Sequence, residues 1–454
     1  MTRLQHFRNI SLLTLALAGG AYWYLSSPDK ALVPLEDMQG PQPKLSQPRS
    51  EGFPTIKIPD VIGWQKGAMP TPAAGLKVQP FAQGLDHPRW VKVMPNGDVL
   101  VAESNAPARE TKGLMDWIAR KLILRSNGGD TSADRITLLR DSDGDGIAEF
   151  KSVLIDGLHS PLGMALREGR LYIGNTDAVV SVPYTPGDTK ITAKPEKLID
   201  LPAELPNNHW TRNVVIDAKG EYLYVTIGAN SNIGENGDNP PGKLNDIYRP
   251  KRAIIKQYEF KRKETTIFAA GLRNPTGMDF DPVSGRLWTV VNERDMLGSD
   301  GPPDYLTFVS PGSFYGWPWY YWGQNADSRV PPVRGDLQQY SRRPDYALGP
   351  HVAALGLAFS RGAELGDTFK SGAFIGMHGS WNRYPVSGYK VVFVPFKDNG
   401  YPVDQAKPVE ILTDFLGKDG NAQGRPAGVA IAKDGALLVA DDSGNSIWRV
   451  SKVN

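Results

Sequence analysis

The chain has 454 residues, enough for a large core and for one to three domains. Lys and Arg number 51 against 49 Asp and Glu, so no global field favours nucleic acid and any anion site has to be local. Cysteine is absent, which excludes disulfides and thiolate metal sites, while 48 Gly and 37 Pro among short alternating runs favour a turn-rich, all-β protein.

At the N-terminus, Arg3 and Arg8 precede an apolar run from Ile10 to Leu25, with Tyr22, Trp23 and Tyr24 placed like an interfacial aromatic belt. Residues 1–26 therefore read as a signal anchor or signal peptide, which predicts a periplasmic protein held to the membrane. Residues 27–75 carry Pro28, Pro34, Pro41, Pro43, Pro48, Pro54, Pro59, Pro70 and Pro72. Proline at this density opposes helix and central strand, so the segment is expected to be an extended tether, most simply a spacer between membrane and globular body, with lying across the domain surface as the alternative.

Residues 76–454 repeat one pattern: an alternating strand, a polar Gly turn and a second apolar strand. It begins at Trp90, Gly163, Asn213, Gly277, Leu357 and Gly428. Period-2 alternation about such turns is a hairpin signature. Six copies at roughly 60–65 residues each exceed the ~40–45 of a WD-type blade, so long loops are expected. The prediction is a six-bladed β-propeller with long inter-strand loops; seven blades is the alternative. Two insertions interrupt it. LMDWIARKLILRS, from Leu114, has helical spacing, and a polar, aromatic loop from Tyr321 to Pro350 is expected to roof part of one face.

Candidate chemistry is confined to a few stretches. His209, in NNHWTRN, precedes a strand and so lies on a loop at one mouth, where it is either structural or a base. Arg273 and Asn274 stand in GLRNP, where an Arg bridging two blades is the plain alternative to a ligand clamp. NERDMLGSDGPPDYL, Asn292 to Leu306, is an acidic loop that fits either a cation or a solvated turn. In DSDGDGIAE, Asp141, Asp143, Asp145 and Gly146 fill EF-hand positions 1, 3, 5 and 6, but Ser152 stands at position 12, so a hairpin turn is preferred to a Ca2+ loop. No phosphate loop placed before a helix, HExxH or GxSxG elbow is present.

NNHWTRN, GLRNP, NERD, DYLT, the Tyr315–Pro318 YGWP turn and GSWNR together resemble the β-propeller dehydrogenases that use pyrroloquinoline quinone (PQQ), especially the aldose sugar and L-sorbosone dehydrogenases. The resemblance runs from about Leu85 to the C-terminus. It implies oxidation of an aldose or sugar aldehyde at C1 to a lactone or acid, with electrons passing to a quinone or cytochrome. It assigns His209 and Arg212 to catalysis. The usual Asp before the His is Asn208 here. It places Arg273, Asn274, Asn382, Arg383 and Arg425 around PQQ, with Asn382 where relatives carry a lysine and Ala427 where they carry a second arginine. It implies a Ca2+ in the acidic loop, bound by Glu293, Asp295, Asp304 and the carbonyl of Arg294. The rival readings are a Ca2+-dependent propeller lactonase or other hydrolase, and a non-catalytic carbohydrate-binding propeller.

Overall fold

The six Gly-centred hairpins become the first two strands of six blades. Gly97, Gly169, Gly220, Gly285, Gly362 and Gly435 all take positive φ at the turn, which is why a polar-Gly step recurs there. The computed structural model describes residues 29–49, 55–108, 113, 131–235, 251–331 and 334–453. The expected anchor and the whole of the insertion from Leu114 lie outside the described residues.

Each blade is a four-stranded antiparallel sheet, built from residues 88–155, 164–200, 214–270, 274–350 and 354–413 for blades 1 to 5. Blade 6 takes Pro426–Ile431, Leu437–Asp441 and Ser446–Lys452 from the C-terminus and its outer strand, Leu76–Gln83, from the N-terminal side. That strand pairs Leu76 with Lys452 and Gln83 with Ser446, closing the ring and removing two sheet edges. The expectation of six blades agrees with this architecture.

The inner strands crowd the central axis, and Gly277 and Gly356 show the sequence requirement. A Cβ on Gly277 would stand 2.7 Å from Leu357 N, and one on Gly356 would stand 2.2 Å from Ala427 O. Apolar layers fill the wedges between blades. Between blades 4 and 5, the fully buried Trp288 meets Phe396 edge-on at 5.0 Å and Phe359 at 6.4 Å. Each such side chain contributes about 1.5–3 kcal/mol by leaving water.

The loop expected to run to Pro350 ends earlier, in the outer strand Tyr346–Pro350 of blade 4. Before that strand it carries buried Tyr321 and Trp322, which follow buried Trp317, Trp319 and Tyr320. Ser313–Phe314 adds a parallel strand to blade 3.

Of the two uses open to the proline-rich segment, its described residues take the second: they lie across the propeller. Thr71–Pro72 pairs with Leu412 and Thr413 as an extra strand of blade 5. Arg49 bridges Asp29 (2.8 Å) and Asp300 (3.0 Å). Further on, Trp64 donates to the Asp441 carboxylate at 2.6 Å and packs edge-on against Trp448. Proline suits such a strap because few of its backbone N–H groups need partners.

Candidate active site

Strand alternation sends two sets of loops to one face. These are the connections between blades and the turns from second to third strands. They carry His87, His159, His209, His351 and His378, five of the six histidines of the chain. The same face and the adjoining strand heads hold most of the buried side-chain polar atoms that lack a partner: Arg89 Nε, Asn105 Nδ2, Ser160 Oγ, Asn175 Oδ1, Arg212 Nε, Asn274 Oδ1 and Glu293 Oε1 among them. Buried polar groups are normally paired, so this concentration marks a place where water or a polar ligand belongs.

His209 lies on the 201–213 connection into blade 3. Its Nδ1 is 2.6 Å from Ala229 O. A carbonyl only accepts, so Nδ1 carries the hydrogen and Nε2 the lone pair. Burial, then the nearby Arg273 guanidinium, lowers the imidazole pKa to about 3, so the ring is neutral at ordinary pH. Gly228 makes room for it: a Cβ there would stand 2.4 Å from Asn274 Oδ1 and 2.5 Å from His209 Cβ. Asn274 heads the inner strand of blade 4, and it and His209 both close on Gly228, with Asn274 Oδ1 unpartnered.

Arg212 is fully buried and donates to the carbonyls of His209 (2.8 Å), Thr211 (2.9 Å) and Pro202 (2.8 Å). Burial lowers its pKa to about 9, with Arg252 adding to the effect. Its observed place is beneath the loop, holding the His209 backbone, rather than facing a substrate.

Arg273 links two loops. Nε donates to Asn232 O (3.1 Å), Nη1 to Glu293 O (2.5 Å), and Nη2 pairs with Asp295 at 2.9 Å. One Nη2 hydrogen remains. The carboxyl of Asp295 also meets His351 Nδ1 at 3.4 Å, and Arg273 and His351 keep it ionised against burial. Arg294 sits fully buried between Glu293 (3.0 Å) and Asp327 (3.1 Å), and reaches Pro318 O and Tyr320 O in the aromatic loop. Asp304 accepts from the N–H groups of Glu293 (2.8 Å) and Ala353 (2.7 Å), and burial pushes its pKa up to about 7. Glu293, Asp295 and Asp304 thus have separate partners. For a cation the fit is partial: Glu293 Oε1 is open, while Arg273 holds the carbonyl of Glu293 and Asn232 and Arg329 hold that of Asp295.

Asn382 is fully buried; it accepts from Met296 N and donates to Thr55 O, both at 2.8 Å, tying the acidic loop to the strap. Arg383 donates to Ser299 O (3.0 Å) and Pro385 O (2.6 Å). Arg425 donates to His378 O (3.0 Å) and Gly379 O (2.9 Å), leaving Nη1 without a partner among the described residues. These three residues brace loops at the mouth.

One cluster was not anticipated. Buried Asp442, in blade 6, accepts from Arg89 Nη1 (2.5 Å) and His378 Nε2 (2.7 Å), with His87 Nε2 at 3.6 Å. Burial, Arg425 and Arg89 lower the His378 pKa to about 3, so it too is neutral. Arg89 and Asp442 are 353 residues apart, so no local motif announces the pair.

The Asp141–Glu149 loop lies on the opposite face, between the third and fourth strands of blade 1. There the carboxylates of Asp141, Asp143, Asp145 and Glu149 converge, the one such acidic group among the described residues.

Among known proteins, the chain is 24% identical over 444 residues to the pyrroloquinoline quinone-dependent pyranose dehydrogenase of Coprinopsis cinerea, covering 84% of this chain and 54% of that one. The PQQ domain of that enzyme superposes with a TM-score of 0.65 at 22% identity, over 87% of this chain and 100% of the domain. Aldose sugar dehydrogenase YliI of Escherichia coli is 28% identical over 165 residues, 35% of this chain and 42% of that protein. The calcium structure of a Trichoderma reesei Carbohydrate-Active Enzymes Family AA12 protein gives a TM-score of 0.66 at 19% identity, over 88% and 98% of the two chains. The chain thus spans about half the length of the two named sequence relatives. The TrAA12-like family model matches residues 70–304 and 336–453, most of the propeller, and the chain belongs to the TrAA12-like family.

Proposed function

We propose that this propeller is a PQQ-dependent sugar dehydrogenase that oxidises an aldose or a sorbosone-like aldehyde at C1. The observation that carries the reading is His209: a neutral imidazole, fixed in one tautomer by Ala229 O, with an unshared pair on Nε2 and Asn274 beside it across Gly228. The printed names of the Coprinopsis and Escherichia relatives support the same class of reaction.

The residues suit an anionic quinone. Arg273, Arg89 and Arg425 supply cations, and the unpartnered Arg89 Nε supplies a buried N–H. When bound, PQQ would supply an ortho-quinone as the two-electron acceptor. His209 Nε2, unprotonated because burial and Arg273 depress its pKa, would take the proton of the C1 hydroxyl, which an aldose carries as its hemiacetal and an aldehyde as its hydrate. Arg212 fixes the His209 backbone, and Gly228 sets its distance from Asn274. Arg273 anchors both loops, and its remaining N–H would stabilise negative charge on the acceptor.

Calcium is the second cofactor in this proposal, supported by the Trichoderma structure and by the open Glu293 Oε1. The metal would be held by Glu293 and the Arg294 carbonyl. A periplasmic location, a membrane tether at residues 1–26 and a quinone or cytochrome acceptor complete the reading. The location and tether rest on Arg3, Arg8 and the Ile10–Leu25 run, and the acceptor on the family resemblance alone.

The test is a panel of aldoses and sugar aldehydes with an artificial electron acceptor, on protein supplied with PQQ and Ca2+. Dye reduction that depends on both PQQ and sugar is expected. Hydrolysis of a lactone by the protein without PQQ would overturn the reading in favour of the hydrolase.

A further inference from the structure

Sequence similarity leads to Asn382 and Arg383 as the groups that receive an anionic cofactor at blade 5. The Asn382 amide and two of the three Arg383 nitrogens are turned to neighbouring backbone. Asn382 is engaged by Thr55 and Met296, and Arg383 by Ser299 and Pro385. Arg89 differs. It stands in Pro88–Val93, the inner strand of blade 1, and therefore at the rim of the central channel. Its guanidinium lies 5.6 Å from the ring centroid of Trp210, the neighbour of His209, and 2.5 Å from Asp442 on its other side. Arg89 thus spans the mouth from blade 6 to the loop that carries the base.

Only Nη1 of Arg89 has a hydrogen-bond partner among the described residues, and its buried Nε has none. A guanidinium carries five N–H donors, and a buried one left unpaired costs stability unless a water or ligand takes it. Open donors point to the kind of ligand. Asp442 contributes one negative charge, while Arg89 and Arg425 contribute two positive ones beside neutral His378. Asp441 adjoins the cluster and balances that charge, but Arg89 and Arg425 both keep open donors, which suits a carboxylate.

We propose that Arg89 is a ligand-binding cation of this mouth, taking a carboxylate of the quinone, with Asp442 and His378 holding its guanidinium in place. The inference rests on the PQQ reading given above, and it replaces Asn382 and Arg383 with Arg89 as the anion-receiving group. Arg425, with Nη1 open and its other nitrogens on the His378–Gly379 backbone, flanks the same end.

The test measures PQQ binding to apo-protein by equilibrium dialysis, with no turnover. Wild type is compared with Arg89→Gln, Asp442→Asn and the double variant Arg89→Gln/Asp442→Asn. If Arg89 holds the ligand, Arg89→Gln binds PQQ at least ~30-fold more weakly, the low end for truncating a buried charged partner. Most of that loss persists in the double variant, because the ligand contact stays missing when the Asp442 charge is removed. Wild-type affinity in Arg89→Gln overturns the proposal. Recovery of wild-type affinity in the double variant overturns it too, since Arg89 would then only neutralise Asp442. Should Arg89→Gln fail to fold, the double variant, which leaves no unpaired carboxylate, decides alone. Wild type that fails to bind PQQ refutes the dehydrogenase reading first, which separates the two failures.

Discussion

Gly228→Ala tests the geometry of the base without touching its chemistry. The added Cβ would stand 2.4 Å from Asn274 Oδ1 and 2.5 Å from His209 Cβ. Ordinary contacts lie near 3.5–4.0 Å, so one partner has to move by about 1 Å. Asn274 is fixed by its inner strand, whereas His209 sits on a connecting loop, so the displacement falls mainly on the histidine. A shift of ~1 Å at a reacting group can lower a rate by ~10²-fold, and overpacking of this size destabilises by about 1–3 kcal/mol. The assay is single-turnover reduction of PQQ on the loaded protein, with Gly335→Ala as control because open space surrounds Gly335. Slow reduction with PQQ affinity retained is expected. A wild-type rate in Gly228→Ala would show that the His209–Asn274 spacing is immaterial and refute the reasoning.

Further outcomes follow from the same structure. The His209 pKa is lowered to about 3 and the base works deprotonated, so kcat/KM stays level as pH falls through 6.5 and drops only in stronger acid; a pH–rate profile with its acid limb at about 6.5 contradicts this. Trp64→Phe removes a donor to the buried Asp441 carboxylate and costs about 1–3 kcal/mol, measured by urea unfolding. Deleting residues 1–26 leaves the strap contacts from Asp29 onward in place, so that protein folds; its aggregation would make the apolar run part of the core. Asp143→Asn leaves sugar oxidation unchanged, because its loop lies on the face away from His209; a loss of activity above a few-fold in steady-state assays argues otherwise.

Much of the fold was legible because propeller hairpins are local. A period-2 pattern and a polar-Gly turn fall within about fifteen residues, and the six motifs from Trp90 to Gly428 correspond to the inner hairpins of the six blades. Ring closure was not legible: Leu76–Gln83 pairs with the far C-terminal strand, and its own pattern does not name that partner. The strap was hidden similarly, since Trp64 and Asp441 are 377 residues apart. At the site, the motifs marked the mouth, but motif position does not fix which way a guanidinium points. Arg212 turns under its loop, Asn382 and Arg383 brace neighbouring backbone, and Arg294 is enclosed by Glu293 and Asp327. Arg89 went unnoticed because HPRW has no distinctive spacing, and only the closed ring brings it to Asp442.

The most direct measurement of the central claim is an anaerobic absorbance record of the PQQ- and Ca2+-loaded protein on adding sugar, for wild type and His209→Gln. The account predicts that wild type bleaches the oxidised quinone in one turnover. It predicts that His209→Gln binds PQQ equally well but reduces it ~10²–10⁴-fold more slowly, the span for losing a general base. Bleaching by His209→Gln at the wild-type rate would remove His209 from the chemistry, and loaded wild type that no aldose or sugar aldehyde reduces would contradict the dehydrogenase itself.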